Sequence, residues 1–305
     1  MRFYIIRSLA ILFLLVGYAS ANVFGQETVL GILEDNPGHY LGEANDRTVR
    51  VVFKKTGGDW EAFRSECGNQ DCLKTIAADF PDHMTWTIGF DGKMLGTVAT
   101  RAQEKFEWYS SIGQENIASN GPVPTIGQRL EEFGGWAGRP VYRPLVANSL
   151  PYFKDPESWK RTEPSAAVLG LLRGQFRNKF PQVTNCDNPD ENRAKPWSYR
   201  DEDIKIFRAY SARSGWLVVS LHLDENRCDG PWEGPADPFS TQWFALSPNR
   251  EVSFLDQGMW LVDAGDYDND GKSELVFTIG RYDRGGYEIF YDDFKKHASF
   301  EYSYH

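Results

Sequence analysis

Short β-prone runs separated by turn-forming residues make up most of this chain, and they predict a mainly β fold. The clearest example spans residues 85–101 (TWTIGFDGKMLGTVATR), where two such runs meet at Asp91-Gly92. This dipeptide suits the positive φ angles of a type I′ turn, so we expect a β-hairpin here. We expect the pair Gly285-Gly286 to separate two strands near the C-terminus. The other predicted strands cover residues 47–55, 204–212, 216–223, 243–246, 252–255, 274–282, 287–291 and 299–304.

One segment has the periodicity of a helix instead. Residues 165–180 (SAAVLGLLRGQFRNKF) carry apolar side chains at helical spacing, with Ser165 as an N-cap and Pro181 at the end. The apolar positions are Val168, Leu169, Leu172, Phe176 and Phe180. The sequence therefore predicts one amphipathic helix over about 165–180. The strands around it are expected to form a β-propeller-like arrangement or stacked antiparallel sheets, with long loops.

The middle of the chain, residues 120–164, is rich in proline and glycine but also contains many large apolar residues. An interdomain linker would leave those apolar groups in water, so we interpret the segment as long loops packed onto the body of the protein. We therefore expect a single mainly β domain over 22–305. The alternative is an N-terminal β lobe over 22–160 and a C-terminal lobe over 161–305.

The first 21 residues have the composition of a secretory signal peptide. Arg2 and Arg7 give a positive start, an apolar stretch runs through 5–16, and Ala19-Ser20-Ala21 offers a small-x-small cleavage pattern. The uninterrupted apolar core is about ten residues, short of the roughly 20 that a membrane-spanning helix needs. We predict cleavage after Ala21 and a soluble, secreted or periplasmic mature protein without membrane insertion.

The charge balance excludes some classes of partner. The chain has 43 acidic and 33 basic residues, a net charge of −10. Non-specific nucleic-acid binding and docking on anionic membranes both depend on a basic surface, so neither is expected.

The chain has four cysteines, an even number that favours disulfides in an oxidising compartment. A zinc site is the competing interpretation, but the spacing lacks a second pair of ligands. Three connectivities are possible, of which the local one joins Cys67 to Cys72 and leaves Cys186 to pair with Cys228.

The segment 266–274 (DYDNDGKSE) concentrates acidic residues at its positions one, three, five and nine, and Gly271 allows a sharp turn. Calcium takes six to eight oxygen ligands, and carboxylates this close repel one another unless a cation lies among them. The sequence therefore predicts a structural calcium site, because a loop that supplies its own ligands leaves little room for substrate. The predicted metal ligands are the side chains of Asp266, Asp268, Asp270 and Glu274 and the backbone carbonyl of Lys272.

This loop is not an EF-hand, which needs a glutamate at position twelve and flanking helices; Phe277 stands there, in a strand-like run. The segment resembles the calcium loops of FG-GAP or VCBS-type repeats of integrin-like β-propellers, where a D-x-D-x-D-G-x-x-D/E loop connects two strands of a blade. Ala264-Gly265 before the loop and Leu275-Val276-Phe277 after it fit that pattern. The resemblance covers about 260–290 in a single copy, and it implies a strand–loop–strand unit that binds calcium.

The sequence contains no familiar catalytic motif: G-x-S-x-G, H-E-x-x-H, S-x-x-K and a glycine-rich phosphate loop are all absent. His222 lies in an alternating strand, which favours a structural role. We therefore assign no catalytic and no cofactor-binding residue. The carboxylate pair of a glycosidase is defined by separation in space, so that chemistry stays open.

Ten tryptophans are spread through the chain, and most lie in apolar or strand contexts that indicate core packing. Trp232, in the polar turn 230–235 (GPWEGP), is the best candidate for an exposed, sugar-stacking ring. Two functions are therefore considered. The first is an exported, calcium-stabilised binding module for an unknown protein or glycan partner. The second is an extracytoplasmic, carbohydrate-active hydrolase with an unlocated carboxylate pair.

Overall fold

A computed structural model describes residues 28–35, 47–126, 143–151, 154–186, 194–223, 238–281 and 283–303. The predicted signal peptide and Trp232 lie outside these residues. Antiparallel sheets dominate the described part, which confirms the mainly β prediction.

The described part of the chain contains eighteen β-strands and two α-helices. In chain order they are β1 (Val29–Asp35), β2 (Arg47–Thr56), β3 (Asp59–Ala62), α1 (Gln70–Thr75), β4 (Thr85–Phe90), β5 (Lys93–Ala102), β6 (Gln114–Ile117), β7 (Leu145–Asn148), β8 (Lys160–Arg161), α2 (Ala166–Lys179), β9 (Val183–Cys186), β10 (Ala194–Trp197), β11 (Ile204–Ser211), β12 (Leu217–Leu223), β13 (Gln242–Leu246), β14 (Val252–Gln257), β15 (Met259–Gly265), β16 (Glu274–Arg281), β17 (Arg284–Tyr291) and β18 (Lys296–Ser303).

The first sheet is a closed ring of strands. Its order is β1-β7-β4-β5-β6-β2, β2 pairs with β1 to complete the ring, and β3 extends it beyond β2. The predicted hairpin is confirmed as β4 and β5, because Asp91 (φ 52°) and Gly92 (φ 65°) both have the positive φ angles of its turn. At Gly92 a Cβ atom would also lie 3.0 Å from Asp155, so the turn packs closely against that residue.

Two of the other sheets stack on the ring in layers. One face of a four-stranded sheet, β15-β16-β17-β18, packs against the ring of strands. Its residues Val276, Ile289 and Phe300 share a hydrophobic core with residues of the ring. Its opposite face contributes Phe277 and Phe290 to a second core with the five-stranded sheet β14-β13-β12-β11-β8. Because both of its faces are buried, the four-stranded sheet is the central layer. Of the two arrangements expected from the sequence, the described residues form stacked antiparallel sheets.

Helix α2 forms the outermost layer, and its prediction is confirmed. The Ser165 hydroxyl accepts a hydrogen bond from the backbone N–H of Val168 at 3.4 Å, which caps the first turn. Leu172 and Phe176 are fully buried in a third core with residues of the five-stranded sheet. Helical spacing alone was enough to identify this face.

Several features differ from the sequence-based prediction. Gly285 and Gly286 lie inside β17 and do not separate two strands. A glycine is needed at position 286 because a Cβ atom there would collide with the backbone of Phe300 in β18. The segment 120–164, expected to be loops, contributes β7 to the ring between β1 and β4. A short helix, α1, was also not predicted.

The cysteines follow the local pairing where they are described. Cys67 and Cys72 form a disulfide with an S–S distance of 2.07 Å, around the start of α1. Cys186 ends β9, and Cys228 lies outside the described residues, so their pairing stays a prediction. None of the helices in the described part of the chain has the length and apolar character needed to span a bilayer.

Candidate metal centre

The acidic loop connects β15 to β16 in the central sheet. These strands are antiparallel neighbours, and Gly265 pairs with Glu274 at the base of the loop. Asn269 (φ 62°) and Gly271 (φ 89°) adopt left-handed backbone conformations that let the chain turn back within a few residues. The strand–loop–strand arrangement therefore brings both ends of the acidic segment together.

Three of the predicted ligands come together in this loop. Ligand oxygens of Asp266, Asp268 and Glu274 all lie within 4.8 Å of one another. Asp266 is 7% exposed, Glu274 is 2% exposed, and the side chain of Asp268 is 6% exposed. Three carboxyl groups thus share a small, largely buried space.

Backbone N–H groups of the loop hold each carboxyl group in place. Gly271 donates to Asp266 Oδ2 at 3.1 Å, Tyr267 donates to Glu274 Oε2 at 2.8 Å, and Asp270 donates to Asp268 Oδ1 at 3.1 Å. The other oxygen of Asp266, Oδ1, is buried and has no hydrogen-bond partner. A buried carboxylate oxygen without a partner carries a large desolvation cost unless a cation coordinates it.

The pKa values of the cluster show the same electrostatic conflict. Burial, followed by repulsion from Asp268, raises the pKa of Glu274 to about 8. Burial also raises the pKa of Asp266, with Asp268 and Asp270 adding repulsion. Both groups are therefore difficult to ionise together without an additional positive charge.

The other two predicted ligands are the Asp270 side chain and the backbone carbonyl of Lys272. Asp270 is exposed, and its Oδ1 accepts a hydrogen bond from the backbone N–H of Lys272 at 2.8 Å. The Lys272 ammonium lies 3.6 Å from Asp292 and 3.8 Å from Asp293. The structure therefore brings together the first, third and ninth positions of the loop, and leaves the Asp270 side chain at its rim.

Sequence reasoning missed Lys55, which belongs to β2 of the ring. Its Nζ lies 2.5 Å from Asp268 Oδ2, and the rings of Trp60 and Tyr291 lie 5.3 and 5.2 Å from the same ammonium. No spacing or motif signals this contact, because it joins distant parts of the chain. Lys55 places one positive charge beside three carboxyl groups.

The segment around β7 fixes the loop from the other side. The Asn148 amide donates to the carbonyl of Tyr267 at 2.7 Å, and the carbonyl of Lys154 accepts from the N–H of Asp266 at 2.7 Å. The Ser273 hydroxyl donates to Asp155 Oδ1 at 2.6 Å. These bonds hold both ends of the loop independently of any ion, so the carboxyl groups are preorganised.

Of the eight described tryptophans, four are buried and three are partly buried, which fits the predicted core packing. Trp108 differs, since it is 68% exposed. His222 lies in β12 with its ring near Phe207, which fits the structural role expected for it. The buried tryptophans are Trp60, Trp86, Trp159 and Trp243.

Comparison with known proteins adds no assignment: the chain matches no protein-family model, and searches of curated proteins and of solved structures give no significant match.

Proposed function

We propose that this chain is an exported β-protein, stabilised by a calcium ion in the 266–274 loop, that acts as a binding module for a protein or glycan partner. The observation that carries the calcium site is Asp266 Oδ1, a buried carboxylate oxygen without a partner beside two more buried carboxyl groups. A cation among these oxygens would remove their repulsion and complete their coordination.

The donor set favours a hard divalent ion. Asp266, Asp268 and Glu274 offer only oxygen atoms, and softer metals such as zinc prefer nitrogen and sulfur ligands. Calcium accepts six to eight oxygens in flexible geometry, so the Asp270 carboxylate, the Lys272 carbonyl and water are available to complete the shell. The resemblance of the loop to FG-GAP or VCBS-type repeats supports the same ion.

A structural role fits the position of the loop. It joins two strands of the central sheet, and Asn148 and Lys55 connect it to the ring. An ion bound here would strengthen the contact between two layers of the fold. Export is supported by the predicted signal peptide, and a Cys67–Cys72 pair at disulfide distance is typical of proteins from oxidising compartments.

The calcium site is tested by thermal unfolding of the purified protein in calcium and in chelator. We expect calcium at hundredfold excess over its Kd to stabilise the fold by about 2.7 kcal/mol, which raises Tm by about 5–10 °C. Asp268→Ala should remove this rise, whereas Asp71→Ala, an exposed acid on α1, should keep it. A Tm of the unaltered protein that does not respond to chelator or calcium would refute the site.

The binding role is supported by the lack of a catalytic motif and by the exposed indole of Trp108. Exposed aromatic rings supply rigid contact area for protein and glycan partners. A glycan array probed with the unaltered protein and with Trp108→Ala tests this role. Binding that the substitution weakens supports it, and equal binding by both proteins assigns the contact to another surface.

An extracytoplasmic, carbohydrate-active hydrolase is the second candidate, and one observation favours it. A cleft of about 640 Å³ is lined by Phe63 and by two glutamates, Glu66 and Glu301. Glycoside hydrolysis uses two carboxyl groups that flank the scissile bond, and these glutamates are the acidic residues that line the cleft. Release of reducing sugar from a panel of polysaccharides, lost in Glu66→Gln and Glu301→Gln, would favour the enzyme over the binding module.

A further inference from the structure

Lys55 is the basic side chain that meets the acidic cluster from outside the loop. Its Nζ forms an ion pair with Asp268 Oδ2 at 2.5 Å, and both side chains are largely withdrawn from solvent, with 17% and 6% exposed. We propose that Lys55 is a built-in counter-ion of the metal site, which competes with the bound ion for Asp268 and sets the affinity and charge selectivity of the site. This inference rests on the proposed calcium site.

The charges of the site support this role. Ionised Asp266, Asp268 and Glu274 together carry three negative charges, and Lys55 reduces the net charge to that of a dianion. Because Lys55 cancels one negative charge, the charge of the bound ion is less completely compensated than it would be without the lysine. The ammonium and the metal ion also repel each other, and this repulsion grows with the charge of the ion.

The position of Lys55 is set by strands β2, β3 and β17 and not by the acidic loop. Lys55 pairs with Trp60 across β2 and β3, and its ammonium lies near the rings of Trp60 and Tyr291, which favour a cation. The lysine therefore stays beside the cluster whether or not an ion is bound. Without an ion it holds Asp268 in place, and with an ion it weakens the binding.

The test compares calcium and terbium(III) binding in the unaltered protein and four variants, by calorimetry for calcium and by terbium luminescence for the trivalent ion. Lys55→Met keeps the apolar stem and removes the charge, Lys55→Gln is a second neutral variant in case the first fails to fold, and Lys55→Arg retains the charge. Lys54→Met is the matched control, since the neighbouring Lys54 ammonium lies over the Phe63 ring and not in the cluster.

We expect the neutral variants to bind calcium about tenfold more tightly and terbium about thirtyfold more tightly than the unaltered protein, because the repulsion that they lose scales with ionic charge. Lys55→Arg and Lys54→Met should bind both ions within about twofold of the unaltered protein. In chelator, the neutral variants should melt at lower temperature than the unaltered protein, because Asp268 loses its partner.

Two results would overturn the inference, and they differ in what else they refute. If the unaltered protein binds calcium and the neutral variants bind both ions with unchanged or lower affinity, Lys55 is not a competing counter-ion, and the calcium site stands. If none of the proteins binds either ion, the calcium site itself is refuted, and the inference with it.

Discussion

Glu274 Oε2 accepts a hydrogen bond from the backbone N–H of Tyr267 at 2.8 Å, so the last acidic residue of the loop is attached to the second residue of the same loop. This bond needs an acceptor oxygen but not a negative charge. The geometry of the loop and the charge of its cluster can therefore be changed separately.

The first prediction uses this separation. Glu274→Gln keeps an acceptor for Tyr267 and removes a carboxyl group that burial and Asp268 make difficult to ionise. We expect Tm in chelator to be unchanged or higher, and the calcium-dependent rise in Tm to be mostly lost. Calorimetric melting in both conditions measures this. Glu61→Gln, at an exposed position on β3, is the control, and a full calcium response in Glu274→Gln would contradict the prediction.

The second prediction concerns a buried ion pair between β1 and β2. Arg50 donates to both carboxylate oxygens of Glu34, at 2.8 and 3.0 Å, and the hydroxyl of Tyr287 donates to the same carboxylate at 2.6 Å. Arg50→Met leaves a buried carboxylate without its cation. We expect it to lower the free energy of unfolding by about 3–5 kcal/mol, measured by urea denaturation.

A double variant separates the charge from the packing in this pair. Glu34→Gln in the Arg50→Met background removes the unpaired charge and keeps an oxygen that can accept from Tyr287. It should recover about 1 kcal/mol or more of the loss. A double variant that is no more stable than Arg50→Met alone would show that lost packing, and not the unpaired charge, causes the destabilisation.

The third prediction concerns pH. Burial raises the pKa of Glu115 to about 7, although its Oε2 accepts hydrogen bonds from Trp86 and Thr100. The folded pKa lies above the unfolded value of 4.5, so the folded protein binds the proton more tightly. The stability that Glu115 contributes is complete below pH 4.5 and is lost as pH rises through about 7, by about 3 kcal/mol in total.

Glu115→Gln removes this titration and keeps an acceptor for the Trp86 indole. The variant should match the unaltered protein near pH 4 and should be more stable above pH 7. Because Asp263 and Glu288 also have raised pKa values, the quantity to measure is the difference in free energy of unfolding between the two proteins across the pH range. A difference that does not change with pH would contradict the prediction.

Local signals in the sequence predicted the local parts of the fold. The Asp91-Gly92 turn and helix α2 follow from turn chemistry and periodicity, which act over a few residues. Strand β7 was missed because its burial depends on β1 and β4, its neighbours in the ring, and not on its own proline-rich surroundings. The prediction of a turn at Gly286 was wrong because this glycine allows the backbones of β17 and β18 to approach closely at Phe300.

In the candidate site, too, local contacts could be predicted from the sequence and long-range contacts could not. Alternation along the loop was enough to expect Asp266, Asp268 and Glu274 to converge, since their positions are fixed by a single tight turn. It also placed Asp270 among the ligands, and the structure leaves that side chain exposed. Lys55 could not be predicted, because its contact with Asp268 depends on how the ring packs against the central sheet.

The order of strands in the ring has a consequence for synthesis of the chain. Strand β1 begins at Val29, yet one of its two neighbours is β7, which ends at Asn148. Until Asn148 has left the ribosome, β1 and β4 each keep one unpaired edge, and such edges are prone to pair with other chains. Pairing across this sequence separation is also slow. The N-terminal strands must therefore be translated, and kept from aggregating, well before the ring can close.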